Sequence, residues 1–322
     1  MAGEVPRAPR ERWRLLGGTR GVDFLARLVT LIAALSVLIV TVWLVVELWE
    51  RSKLSRHAFG LRFFVDSVWD PVFSHFGALP FVYGTLVTSA LAMLIAVPLG
   101  VGAAIFLAEL APRGLSDTLT FLIELLAAVP SVVLGLVGIF VVVPWVRISL
   151  GPVLKDLFGF TPLFQGPIYG VGFLTAGLVL AIMVLPFIVS ISREVLLSVP
   201  QELREAALGL GSTKWESTWK VVVPTAGTGI MGSIFLGLAR ALGETMAVSM
   251  VIGGTPQVAA SLFAPGYSIA SVIADQFAEA TGDLFRQSLV ELGLVLFGIT
   301  LLLHALARLL VHATARKATG AA

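Results

Sequence analysis

Cysteine is absent from this 322-residue chain, which excludes disulfide frameworks, thiolate metal sites and cysteine nucleophiles together. Histidine occurs four times and is scattered. His304 and His312 lie near the end of the last apolar stretch without the carboxylate partners a metal motif requires, so no metal site or other cofactor is expected. Charge is scarce: 13% of residues are charged and the formal net charge is +2. The basic residues form no stripe that could follow a phosphate backbone, so nucleic acid is not an expected partner. The glycine-rich loop ending in Gly-Lys-Ser/Thr that cradles nucleotide phosphates is also missing, so this chain is not expected to bind ATP in the usual way or to be an enzyme. No internal repeat is evident, which counts against carriers built from inverted halves.

What fills the sequence instead is apolar. Hydrophobic residues make up 57% of it and the mean hydropathy is +0.95, beyond what the surface of a water-soluble domain carries. Windows long enough to cross about 30 Å of hydrocarbon fall at 28–49, 82–110, 119–145, 168–192, 225–252 and 288–311. The expectation is an all-α integral membrane protein with six transmembrane helices. The first window is too long for a signal-peptide core and is expected to be a retained helix. Pro98, Pro130 and Pro186 fall inside windows, so kinked and mutually packed helices are expected. Gly229, Ser233 and Gly237 recur every fourth residue and predict a close helix contact, with pore lining as the alternative.

Lys and Arg set the orientation. The segments up to Arg27, from Pro112 to Thr118, from Arg193 to Pro224 and from Arg308 onward hold fourteen of them, against seven in the alternate segments 50–81, 146–167 and 253–287. The excess assigns both termini and the 193–224 loop to the cytoplasm. The layout is a tail at 1–27, a transmembrane domain at 28–311 and a second tail at 312–322.

The loop between the fourth and fifth windows is neither apolar nor low in complexity. Ser198 with Gln201, and Thr213 with Glu216, each fit a capping box, with Pro200 in the first turn of the first helix. Gly209 and Gly211 separate the two. The spacing predicts two short helices joined by a glycine turn, the second ending at Pro224. Glu205, Ala206 and Ala207, then Gly211, then Val221, Val223 and Pro224 match the loop shared by permeases of ABC importers, with valines in place of Ile and Leu. The resemblance implies the type I ABC-importer permease fold and assigns Glu205, Ala206, Ala207, Gly211 and Pro224 to docking an ATPase. Physically, the alanines and glycine offer a flat patch for a partner's groove, and the alternative is an amphipathic helix lying on the bilayer.

The fifth window contains Arg240 and Glu244. An arginine at a membrane midplane costs about 2.5–3.5 kcal/mol on insertion scales. Two readings explain its presence. On one continuous helix the two charges would share a face and neutralise each other. Alternatively, the guanidinium lines a path and holds an oxyanion by paired hydrogen bonds. The run Arg240-Ala-Leu-Gly-Glu-Thr-Met-Ala-Val248 resembles the PstC-type permeases of phosphate ABC importers, as do Gly77–Ser89, Ile123–Ser131 and Ser192–Pro200. That resemblance implies phosphate translocation by Arg240 and Glu244 and a bacterial cell-membrane location. It also implies a PstA-like second permease, two copies of a PstB-like ATPase and a PstS-like extracytoplasmic phosphate-binding protein. Thr245 and Met246 favour phosphate over sulfate, whose permeases usually differ there; sulfate, molybdate or a secondary carrier remain the alternatives. Glu124, in the third window near Pro130 and Ser131, is expected either to face a path or to be a protonated carboxyl bonded to a neighbouring helix. Glu109 and Arg113 bracket a helix end and are expected to be simply interfacial, and Ser268 to Ala280 to form an amphipathic external helix with Asp275 and Glu279 on one side.

Overall fold

A computed structural model of the chain describes the backbone of residues 19–319 and the side chains of 23–309. Most of both expected tails, and the His312 side chain, lie outside the described residues. Among the described residues six helices are long and apolar enough to cross a membrane: Asp23–Arg51, Leu79–Leu110, Ser131–Phe158, Phe173–Leu197, Lys214–Gly243 and Asp283–Leu309.

The first belongs to a separate unit, Met1–Glu50. This helix, α1 (Thr19–Arg51), carries no charged residue from Leu28 to Val46 and exposes apolar side chains all round that stretch. Its Thr30 and Thr41 hydroxyls donate to the Ala26 and Val37 carbonyls one turn back, which hides their polarity from lipid.

The second unit, Arg51–Ala322, opens with α2 (Lys53–Phe59) and a two-stranded hairpin, β1 (Trp69–Asp70) with β2 (His75–Phe76). Next come α3 (Leu79–Leu110), α4 (Arg113–Ala127), α5 (Ser131–Phe158) and α6 (Phe173–Leu197). A knob helix α7 (Gln201–Gly209) precedes α8 (Lys214–Gly243) and α9 (Met246–Ile252). The external helix α10 (Ile269–Gln276) and the last helix α11 (Asp283–Thr319) complete the chain. At the centre stands α6, packed along α3 and α8. Small residues set the spacing: Gly177 receives Leu91, and Gly100 and Gly237 both receive Ile188. The first amides of α6 are satisfied from outside the helix, where Gly172, Phe173 and Leu174 donate to the carbonyls of Val251, Ala264 and Leu262. The loop after α9 thereby closes the end of the bundle.

Two expectations about helices are corrected. The third window, 119–145, merges two elements: α4 ends at Ala127 and Pro130 stands at the start of α5, so Pro130 is not interior. Pro98 and Pro186 are interior as expected. Pro224 does not end a helix either. It follows a π turn at Thr218–Val222 within α8, as Pro144 and Pro152 follow π turns at Gly138–Val142 and Val146–Leu150 within α5. A proline lacks its N–H and its ring crowds the carbonyl four residues back; a wide turn just upstream removes both conflicts and lets the helix run on.

Candidate functional site

The fifth window is broken where its charges lie. Helix α8 ends at Gly243, Glu244 is extended at φ −70 and ψ 127, and α9 begins at Met246. Glu244 is therefore off the helical face it was expected to share with Arg240. Among the described residues no ion pair joins the two; the Glu244 carboxylate instead accepts from the Ala247 N–H at 3.4 Å. Arg240 sits exposed in the last turn of α8, where the C-terminal end of the helix dipole favours a cation. Gly232, Leu236 and Arg240, four apart, share a face. Leu236 is exposed and Gly232 has open space about it. On the packed side, Gly229 meets Val195, the Ser233 and Ser192 hydroxyls lie 2.7 Å apart, and Gly237 meets Val184 and Ile188. That stripe is helix packing. Irregular backbone at membrane depth persists only where protein or a water-filled cavity covers it, and paired half-helix ends of this kind commonly border ion and substrate sites. An uncovered guanidinium beside such a break can take an oxyanion.

The knob forms as its glycine spacing predicts. Gly211 has φ +88. Its N–H donates to Leu208 O at 2.9 Å and the Ser212 N–H donates to Ala207 O at 3.2 Å, the two bonds of a Schellman cap. Thr213 and Glu216 make both halves of the expected capping box. The first expected box does not form: Ser198 ends α6, its hydroxyl donates to Val195 O, and Pro200 occupies the N-cap of α7. Glu205, Ala206 and Gly211 are exposed, whereas Ala207 turns inward at 7% exposure. The flat patch is therefore not made by both alanines; Leu210, 89% exposed, stands beside Ala206 and Gly211 instead. Trp215 and Trp219 stack edge to face at 5.5 Å on the outer side of α8, in the manner of an interfacial belt.

Sequence reasoning missed what holds the knob. The Arg204 guanidinium, on α7, donates from Nη2 to Glu109 Oε1 at 2.7 Å and from Nε to both carboxylate oxygens at 3.2 and 3.3 Å. It also donates to Leu196 O at 2.8 Å and to Val199 O. One side chain thus ties the knob to the ends of α3 and α6. Glu109 is not simply interfacial but 11% exposed, and its partner is 20% exposed. Beneath them Ile105, Leu107, Leu196, Val199 and Val222 are buried together.

Of the remaining candidates, Arg113 opens α4 and is exposed. Glu124 lies exposed on α4, outside the third membrane helix, and borders a cavity between α4 and α6. The external helix is shorter than 268–280, so Glu279 falls beyond its end. Asp275 accepts from the Ser249 hydroxyl at 2.6 Å, joining α10 to α9. Burial, and then the Asp275 carboxylate, push the Tyr267 phenol up. His304 bonds within its own helix, to Thr300 O at 2.8 Å, and no metal-holding cluster occurs among the described residues.

Membrane helices around a broken α8, with a capped knob ahead of it, define a permease of the type I importer fold. The backbone resembles a solved bacterial alginate ABC transporter, with TM-score 0.59 and 14% identity over 91% of this chain and 95% of that one. It also resembles an inward-facing MetNI methionine ABC transporter, with TM-score 0.55 and 16% identity over 76% and 99%. The chain belongs to the family described as binding-protein-dependent transport system inner membrane component, which matches residues 96–316. Similar relatives are the phosphate transport system permease protein PstC of Mesorhizobium japonicum, 47% identical over 89% of both chains, and that of Xylella fastidiosa, 46% identical over 92% of both. The probable PstC of Methanocaldococcus jannaschii is 35% identical over 86% of this chain and 90% of its own.

Proposed function

We propose that this chain is the permease subunit of an ABC transporter that imports inorganic phosphate, and that Arg240, uncovered beside the break in α8, is the cation the anion meets. The observation that carries the reading is that break, because it separates Glu244 from Arg240 and leaves the guanidinium without a counter-ion among the described residues. Glu244, one step along the broken backbone, competes with or orients the anion. The PstC relatives supply the choice of phosphate. Sulfate and molybdate permeation are the competing readings.

The knob built on Glu205, Ala206, Gly211 and Leu210 receives the ATPase, and the Lys and Arg excess supports a cytoplasmic side for it and for both termini. Ala207 supports that surface from within. Pro224 acts through its π turn, which keeps α8 continuous from knob to break. Residues 223–243 alone span about 30 Å, so one rigid element links dock and anion site. A second, PstA-like permease covers the exposed face of α8, two PstB-like subunits hydrolyse ATP, and a PstS-like protein delivers the anion from outside. Uptake of radiolabelled phosphate by the reconstituted complex, competed by unlabelled phosphate but not by sulfate or molybdate, is the expected result. Equal competition by sulfate would move the assignment to another oxyanion.

A further inference from the structure

The strand hairpin and the loop from α10 to α11 enclose a cavity of about 580 Å³, bordered by Pro71, Val72 and Ser74 of the hairpin turn and by Gln276, Glu279 and Thr281 on the facing wall. The turn is built rather than loose. Asp70 Oδ1 accepts from the N–H groups of Val72 and Phe73 at 2.9 and 3.1 Å, and Ser74 holds φ +55. The two walls are fastened to each other, since Trp69 Nε1 donates to Gln276 Oε1 at 2.9 Å and the Phe76 ring stacks on Phe285 at 5.3 Å. On this mount Val72 and Phe73 stand 86% and 81% exposed. Two adjacent apolar side chains held out beside a cavity mark a binding surface. Both walls belong to segments, 50–81 and 253–287, whose few Lys and Arg assign them to the outside.

Charge selects the occupant. Across 69–76 and 268–286, Asp70, Asp275, Glu279 and Asp283 stand against Arg286, with His75 neutral. That field repels a dissolved oxyanion and attracts a basic protein surface. We propose that the cavity and the Val72–Phe73 tip seat a basic loop of the extracytoplasmic binding protein on which this family depends. The proposal rests on the transporter reading above and locates that partner's footprint on this chain. Helix α10 carries the seating inward. Gln276 lines the cavity, its neighbour Asp275 accepts from the Ser249 hydroxyl at 2.6 Å, and the Ser249 N–H donates at 2.9 Å to the carbonyl of Thr245, next to Glu244. A load on the cavity wall therefore reaches the break in α8 through two hydrogen bonds.

The test measures the affinity of the system's own phosphate-loaded binding protein, purified, for the complete transporter in nanodiscs, with ATP hydrolysis and phosphate uptake assayed alongside. Phe73→Ser and Glu279→Lys change exposed side chains, so assembly and basal ATP hydrolysis should hold while the affinity falls about ten- to a hundredfold. A nitroxide on Phe73→Cys, in a chain with no other cysteine, should collide with a water-soluble relaxant and lose that contact when the binding protein docks. Ser249→Ala should keep the affinity but lose most of the stimulation of ATP hydrolysis that docking produces; full stimulation would overturn the route through α10. Unchanged affinity in both Phe73→Ser and Glu279→Lys, or a nitroxide that collides with lipid-dissolved oxygen instead, overturns the dock whatever the uptake. A wild-type complex that holds the binding protein yet takes up no phosphate overturns the phosphate reading and leaves the dock standing.

Discussion

Removing the Arg204 guanidinium isolates how the knob is held. In Arg204→Met the aliphatic stem keeps its packing, but Glu109 loses its counter-ion and the carbonyls of Leu196 and Val199 lose a donor. Breaking a buried pair from one side costs about 3–5 kcal/mol. With the two side chains 20% and 11% exposed, water screens part of that, and about 3 kcal/mol is the appropriate figure. Spent on local opening, this corresponds to roughly a hundredfold loss of amide-exchange protection confined to α7 and the ends of α3 and α6. Hydrogen exchange by mass spectrometry on the assembled transporter reads it directly. Glu109→Gln should produce a loss in the same segments, and the double variant should fall short of the sum by more than about 1 kcal/mol. Additive effects, or protection lost evenly along α8, would refute the tether.

Three further substitutions probe the knob. Leu210→Asp changes an almost fully exposed residue, so it should leave stability within about 0.5 kcal/mol while abolishing co-purification of the ATPase; retained ATPase would show that this face is not the dock. Gly211→Ala meets no neighbour but must hold φ +88, so it should cost about 1–2 kcal/mol, seen as faster exchange at residues 208–212 with the membrane helices unchanged. Thr213→Ala removes the cap on the start of α8 and should cost about 1 kcal/mol, seen in exchange at residues 214–217.

The extent to which the fold could be read ahead varies with the range of the forces involved. Apolar length is a property of consecutive residues, so the windows over α3, α6 and α11 fall within several residues of the helices. Local hydrogen-bond chemistry was equally legible: the Thr213–Glu216 box and the turn at Gly211 are set by neighbours three to five residues apart. The failures have identifiable competitors. Apolar residues dominate from Leu119 to Trp145, yet Pro130 forces extended backbone, and α4 packs across α6 rather than joining α5. Ser198 lost its expected role because the end of α6 claimed its hydroxyl first. The break at Glu244 leaves no local mark beyond Gly243, since tertiary packing of α9 against α5 and α6 decides it. Glu109 and Arg204 are 95 residues apart in sequence. So too, the cavity shared by Ser74 and Glu279 exists only once the hairpin lies against α10 and α11.

If Arg240, held beside a break in α8 and unneutralised by Glu244, is the cation through which phosphate passes, then proteoliposomes holding the complete transporter with Arg240→Gln should take up phosphate only at background, with the ATPase and second permease still co-purifying. Uptake near the wild-type rate in that assembled complex would show that phosphate does not pass through Arg240.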